Sequence, residues 1–184
     1  VTLAVTGKGG IRENKVVYRI LDVISNVIRS IPFLILLILI IPLTRFLVGK
    51  SYGSSATIVP LVIAAAPFIA RMVESSLQEV DEGVIEAAKS MGAGTWTIIF
   101  RVLLVEARTS LIVGVTIALG TILGYSAMAG VVGGGGLGDI AIRYGYYRYQ
   151  TDIMVVTIVI LVLIVQVLQA LGMMLSKKLD RRNK

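Results

Sequence analysis

"IMVVTIVILVLIVQVLQALGMML", residues 153–175, decides the fold. It is an unbroken apolar run with no charged residue. A helix needs about 20 mostly apolar residues to cross the hydrocarbon of a bilayer. This segment therefore reads as a membrane span, and the rest of the chain is read outward from it. Three more apolar stretches lie upstream: residues 31–48, IPFLILLILIIPLTRFLV; residues 56–73, ATIVPLVIAAAPFIARMV; and residues 102–132, rich in small residues. Pro32 and Pro42 are tolerated, because proline is common in membrane helices. Arg71 sits at the end of its stretch, where a long cationic side chain can snorkel. Residues 102–132 are long for one span and are expected to stop before the glycines that follow.

Composition agrees. Of 184 residues, 56% are hydrophobic without counting the 19 glycines, and the mean hydropathy is +0.88. Soluble domains hold about 45–50% apolar residues with glycine included. There is no cysteine, hence no disulfide framework and no thiolate metal site. There is no histidine, which removes the commonest general base and the commonest zinc ligand. No catalytic site is expected, and no cofactor.

The net charge of +7 tracks topology. Thirteen Lys and Arg residues flank the spans on one side and three, Lys50, Arg143 and Arg148, on the other. The positive-inside rule puts residues 1–30, 74–101 and 176–184 in the cytoplasm and loops 49–55 and 133–152 outside. The C-terminus is then cytoplasmic, and nucleic acid is not needed to explain the charge. Residues 1–6, VTLAVT, read as the tail of an apolar segment in a chain that does not begin with Met, so four spans are visible and a fifth is expected upstream.

Residues 130–140, GVVGGGGLGDI, spell G-x-G-x-x-G at Gly133, Gly135 and Gly138. In a dinucleotide site that pattern follows a strand and opens a helix of a βαβ unit. Here it follows a membrane helix on the external side, so the reading is a turn with close helix packing, helped by Gly120, Gly124 and Gly130. The tyrosines at 144, 146, 147 and 149 suit either the membrane interface or an external protein contact.

Residues 74–101, ESSLQEVDEGVIEAAKSMGAGTWTIIFR, are more than a connector. Leu77, Val80, Val84, Ala88 and Met91 recur at helical spacing and predict one amphipathic face. Gly92 and Gly94 can stop that helix, and Thr95 can cap a second one running through Trp96, Ile99, Val102 and Leu103. A DNA-reading helix-turn-helix is disfavoured by the tether to the bilayer and by Glu79, Asp81, Glu82 and Glu86, which phosphates repel. An interfacial helix pair and a docking lever for a cytoplasmic partner both remain open.

Glu86-Ala87-Ala88, three residues, then Gly92 resembles the EAA loop of bacterial ABC importer permeases. The flanking spans and GYSAMAGVVGGGGLGDIAIRYGYYRYQTDIM are similar to the permeases of methionine importers in particular. The resemblance runs from about residue 8 onward. It implies an all-α integral membrane protein of the type I ABC importer class, with residues 1–184 one permease domain and 74–101 its cytoplasmic coupling loop. It implies a homodimer in the inner membrane, two cytoplasmic ATPases, an external methionine-binding protein and a surround of membrane lipid. The permease is then no enzyme, which agrees with the lack of a Walker A pattern. Coupling would fall to Glu86, Ala87, Ala88 and Gly92, the alanines being small enough for close approach to the ATPase. The substrate path would be lined by Thr116, Thr121, Tyr125, Ser126 and Met128, with Met128 offering soft sulfur contacts to a thioether. Where the family usually has Leu-Pro, this chain has Leu104-Val105, and Val105 removes one cause of a kink at the start of the third visible span. Two alternatives stand beside the methionine reading: a permease for another small amino acid or sulfur compound, and an ion-coupled secondary transporter. The second wants ionisable residues near the bilayer midplane, where these spans have almost none.

Overall fold

The computed structural model describes residues 1–7 and 10–180; Lys8 and the cations at 181, 182 and 184 lie outside the described residues. The secondary structure of the described residues is all helical, with short loops and no strand among them. The elements are α1 (Thr2–Thr6), α2 (Lys15–Ser30), α3 (Phe33–Leu39), α4 (Ile41–Val48), α5 (Ser54–Gln78), α6 (Glu82–Ser90), α7 (Thr95–Thr97), a π-helical turn (Ile98–Leu103), α8 (Leu104–Glu106), α9 (Arg108–Met128), a 3-10 turn (Ala129–Val132), α10 (Gly136–Ile140), a second π-helical turn (Ala141–Tyr146) and α11 (Thr151–Leu179).

Three helices, α5, α9 (with its 3-10 extension) and α11, are long and apolar enough to cross a membrane unbroken. Lipid leaves a spanning backbone no partner but itself, so long uninterrupted helices are the expected solution. α9 is the hub, packed against α5 on one side and α11 on the other. The α11 surface is largely bare within the chain, as suits a helix whose apolar side chains face lipid or another subunit.

The first apolar stretch differs from the single span expected over residues 31–48. It is divided into α3 and α4 at Ile40. Pro42 explains the break: it has no N–H for the carbonyl of Ile38 and its ring crowds that turn. The helix therefore restarts so that proline falls in the first turn of α4, where no donor is needed. Pro32 acts similarly upstream. It holds Ile31 extended at φ −87° and ψ 123°, ends α2 at Ser30, and leaves α2 and α3 bent by 104°. The unbroken spans number three, with the apolar α3 and α4 upstream of them.

At the other end of the bundle the glycines of residues 130–138 pack the chain onto itself. A Cβ on Gly138 would fall 2.2 Å from the Ala127 carbonyl oxygen, and one on Gly130 would fall 2.4 Å from the Asp139 nitrogen. α10 thus lies flush against the end of α9, and the chain here is the turn with close helix packing that these glycines allow. The two tyrosines after it, Tyr146 and Tyr147, meet edge to face at 5.4 Å and stay exposed, while Arg148 lies 4.8 Å over the Tyr144 ring.

Replacing Gly138 by Ala should cost about 1–3 kcal/mol by overpacking against backbone. Gly124, with nothing within 4 Å of its would-be Cβ, is the control. Thermal unfolding in detergent should show a lowered midpoint for Gly138→Ala and none for Gly124→Ala; equal midpoints would refute the close-packing account.

Candidate functional site

The connector between α5 and α9 folds into a compact knob. Asp81 caps α6, its carboxylate accepting from the Gly83 N–H at 2.7 Å. Glu82 in the first turn and Lys89 in the last complement the helix dipole. α6 then stops in a Schellman arrangement. Gly92 N–H donates to the Lys89 carbonyl at 2.9 Å and Ala93 N–H donates to the Ala88 carbonyl at 3.0 Å. Gly92 has φ +77°, a left-handed conformation that only glycine, and to a degree Asn, adopts easily. The helix stops where the sequence predicts, at the left-handed Gly92. Gly94, at φ −70°, serves instead as the N-cap position of α7, and Thr95 is the first helical residue without a side-chain cap bond.

The amphipathic face differs from the one expected. The helix from the membrane ends at Gln78 and α6 starts afresh at Glu82, so Leu77 and Val80 do not share a helix with Val84, Ala88 and Met91. The break resets the phase. Leu77, Val80 and Ala88 are buried, but Val84 is exposed and Met91 is 81% exposed. Trp96 is 73% exposed and stacks on Phe100 at 5.9 Å with an interplanar angle of 17°.

The inner side of the knob is a core of Leu77, Val80, Ala88, Ile98, Ile99, Leu103 and Ala107. Ile98 at its centre is 1% exposed. Ala88 is 4% exposed and belongs to this core, so its small size allows α6 to approach its own π-helical turn. Glu86 and Ala87 face outward. The outward face therefore joins Glu86, Ala87 and Gly92 to a patch of Met91, Trp96 and Phe100 that the spacing argument did not select. The signal available in the sequence was the aromatic pair four residues apart, Trp96 and Phe100, beside a polar loop. After the turn, the Leu104 N–H reaches the Ile99 carbonyl, and the helix breaks again at Ala107 before α9. A break at this point occurs without a proline at 105.

A polar cluster fixes the end of α5 above the knob. Arg71 donates to Glu74 at 2.7 Å and to the Asn26 Oδ1 at 3.3 Å, and pairs with Asp22. Glu74 is 4% exposed and its Oε1 has no hydrogen-bond partner. The cluster ties α2 to α5.

The residues expected along the substrate path divide. Thr121, Tyr125 and Met128 follow one another along one side of α9. Tyr125 stacks on Phe33 with centroids 4.7 Å apart and planes at 9°, and Met128 is exposed. Thr116 is buried on a different side, donating to the Ile112 carbonyl at 2.7 Å, and a Cβ on Gly172 would fall 2.0 Å from its Oγ1. It therefore sits in the α9–α11 seam. Ser126 is exposed on a third side. No group of three metal-ligating side chains occurs among the described residues.

The long apolar helices with a compact helical knob between α5 and α9 make this an integral membrane bundle, and its relatives give its class. The chain matches, over residues 2–184, the family described as binding-protein-dependent transport system inner membrane component, and it belongs to that family. It is thus a multi-pass component of the inner membrane with the fold of a type I ABC importer permease. It is 51% identical over 182 residues to the "Probable D-methionine transport system permease protein MetI" of Vibrio cholerae, covering 99% of this chain and 81% of that one. It is 46% identical over 180 residues to the "Methionine import system permease protein MetP" of Bacillus subtilis, covering 98% and 81%. A chain of the solved MetNI methionine ABC transporter, in an inward-facing conformation, superposes with a TM-score of 0.95 at 48% identity over 98% of this chain and 83% of its own.

Removing the Arg71 guanidinium leaves the Glu74 carboxylate buried and unpaired. Arg71→Ala should cost about 3–5 kcal/mol in unfolding free energy. Neutralising the carboxylate as well, in Arg71→Ala/Glu74→Gln, should restore part of the loss. A double variant whose loss equals the sum of the two single losses would show that the pair is not coupled.

Proposed function

We propose that this chain is the permease subunit of an ATP-driven methionine importer. The observation that carries the reading is identity of 46–51% across nearly the whole chain to permeases named for methionine transport. Two copies would form the translocation path. Two cytoplasmic ATPases would grip the knobs, an external methionine-binding protein would deliver substrate, and membrane lipid would surround the spans. The C-terminus lies in the cytoplasm with the knob, in keeping with Lys177 and Lys178 in the last turn of α11.

The knob couples as follows. The outward face of Glu86, Ala87 and Gly92 seats in a groove of the ATPase, with Met91, Trp96 and Phe100 supplying apolar contact area. Ala88 holds α6 to the π-helical turn, so that displacement of the docked face moves the ends of α5 and α9 together. ATP binding draws the two ATPases together, the knobs follow, and the spans open outward; hydrolysis resets them. Substrate passes along the side of α9 that carries Thr121, Tyr125 and Met128, with Thr116 and Ser126 contributing from the flanks as the subunits rearrange. Met128 meets the thioether of methionine through sulfur contacts.

ATP-dependent uptake of labelled methionine into proteoliposomes holding the permease, ATPase and binding protein tests the reading. Gly92→Val forces a β-branched residue into a left-handed turn at a cost of about 1–3 kcal/mol and should cut uptake about tenfold or more while the permease still inserts. Gly92→Asn, which tolerates that conformation, should retain most of it. Undiminished uptake by Gly92→Val refutes the lever role, and uptake without ATP refutes the class.

A further inference from the structure

α2 has three sides. One is turned to the protein: Leu21, Ser25 and Ile28 are its more buried residues, and Asp22 meets Arg71 on α5. The second is an exposed apolar stripe of Val16, Ile20, Val23, Ile24 and Val27, spaced as one helix face. The third, between the other two, carries Lys15 and Arg19, both exposed.

We propose that α2 lies in the cytoplasmic face of the bilayer, with this stripe in the acyl region and Lys15 and Arg19 selecting anionic lipid headgroups. The choice of leaflet rests on the topology proposed above. Three observations point to this occupant. First, α2 turns 104° from α3, so when α3 runs into the membrane α2 lies nearly along its surface. An amphipathic helix so placed buries its apolar face at the headgroup boundary. Second, α2 is tied to α5 at Arg71, close to the end of a 25-residue helix. That helix is about 38 Å long, more than the hydrocarbon thickness of about 30 Å, so its last turns reach headgroup depth. Third, the charge is arranged for anions. Asp22, the one carboxylate of α2, lies on the side turned to the protein and is held by Arg71, which it shares with Glu74. Glu13 lies 3.9 Å from Lys15, but both are exposed and such a pair is weak. A second copy of this chain docking stripe to stripe would instead bring the flanking cations together.

The chain has no cysteine, so a single reporter can be placed cleanly. Val23→Cys puts an environment-sensitive fluorophore on the stripe, and Val162→Cys puts one on the exposed side of α11 as a reference for bulk lipid. The assembled transporter, with its ATPase, is reconstituted in phosphatidylcholine vesicles holding roughly 30% phosphatidylglycerol, with brominated acyl chains carried either by the phosphatidylglycerol or by an equal amount of phosphatidylcholine. At residue 23, brominated phosphatidylglycerol should quench at least about twofold more than brominated phosphatidylcholine, and the excess should shrink in high salt. At residue 162 the two should quench equally. Lys15→Gln/Arg19→Gln should abolish the excess at residue 23 while leaving quenching by both lipids. Quenching by neither lipid, meaning a protein covers the stripe, overturns the proposal; so does equal quenching in the parent. ATP-driven methionine uptake by the same vesicles, with the binding protein supplied, separates the two readings. Loss of uptake with the lipid preference intact counts against the importer alone, and normal uptake with no preference counts against this proposal alone.

Discussion

The burial of Ile98 against Leu77, Val80, Ala88 and Leu103 is the contact on which the rest depends. These side chains come from the end of one span, the short helix α6, and the π-helical turn that leads to the next span. Truncating a buried aliphatic side chain commonly costs about 2–5 kcal/mol, a large share of a protein's net stability. While this core holds, the knob cannot move without the ends of α5 and α9. A loop without such a core would absorb a push from outside by changing its own shape.

α9 extends that constraint through the membrane. It meets α11 where Gly172 leaves space for Thr116, and meets α5 where Gly114 leaves space for Met72. Small residues let spans approach closely, so the contacts along these seams are backbone-near and geometrically strict. At the far end, α10 is seated on α9 through Gly130 and Gly138. A displacement entering at the knob therefore has a continuous packed route to the glycines at the far end of α9, with Tyr125 and Met128 along it.

The spans were legible because lipid imposes one rule on every residue of a crossing helix, and composition records it directly. The stop at Gly92 was legible because a left-handed residue has few chemical solutions. Where reading failed, a break in the chain had shifted the phase. Asp81 restarts the helix, which turns Val84 and Met91 outward although their spacing from Leu77 suits an inward face. A membrane helix tolerates Pro42, yet tolerance takes the form of a restart at Ile41 and not of a continuous span. The Arg71–Asp22 pair joins residues far apart in the chain, and no local pattern announces it. The path residues were chosen by residue type on one helix, and type does not separate Thr116, turned to α11, from Thr121.

The account stands on the knob being an inner-side handle held by a separate ATPase. Cysteine placed at the exposed Met91 position, in a chain otherwise free of cysteine, reports this directly through its reaction with a membrane-impermeant maleimide. The account predicts no labelling in intact cells, labelling in inverted vesicles stripped of the ATPase, and protection when the ATPase is restored. Labelling from outside intact cells, or full labelling in inverted vesicles with the ATPase bound, would contradict it.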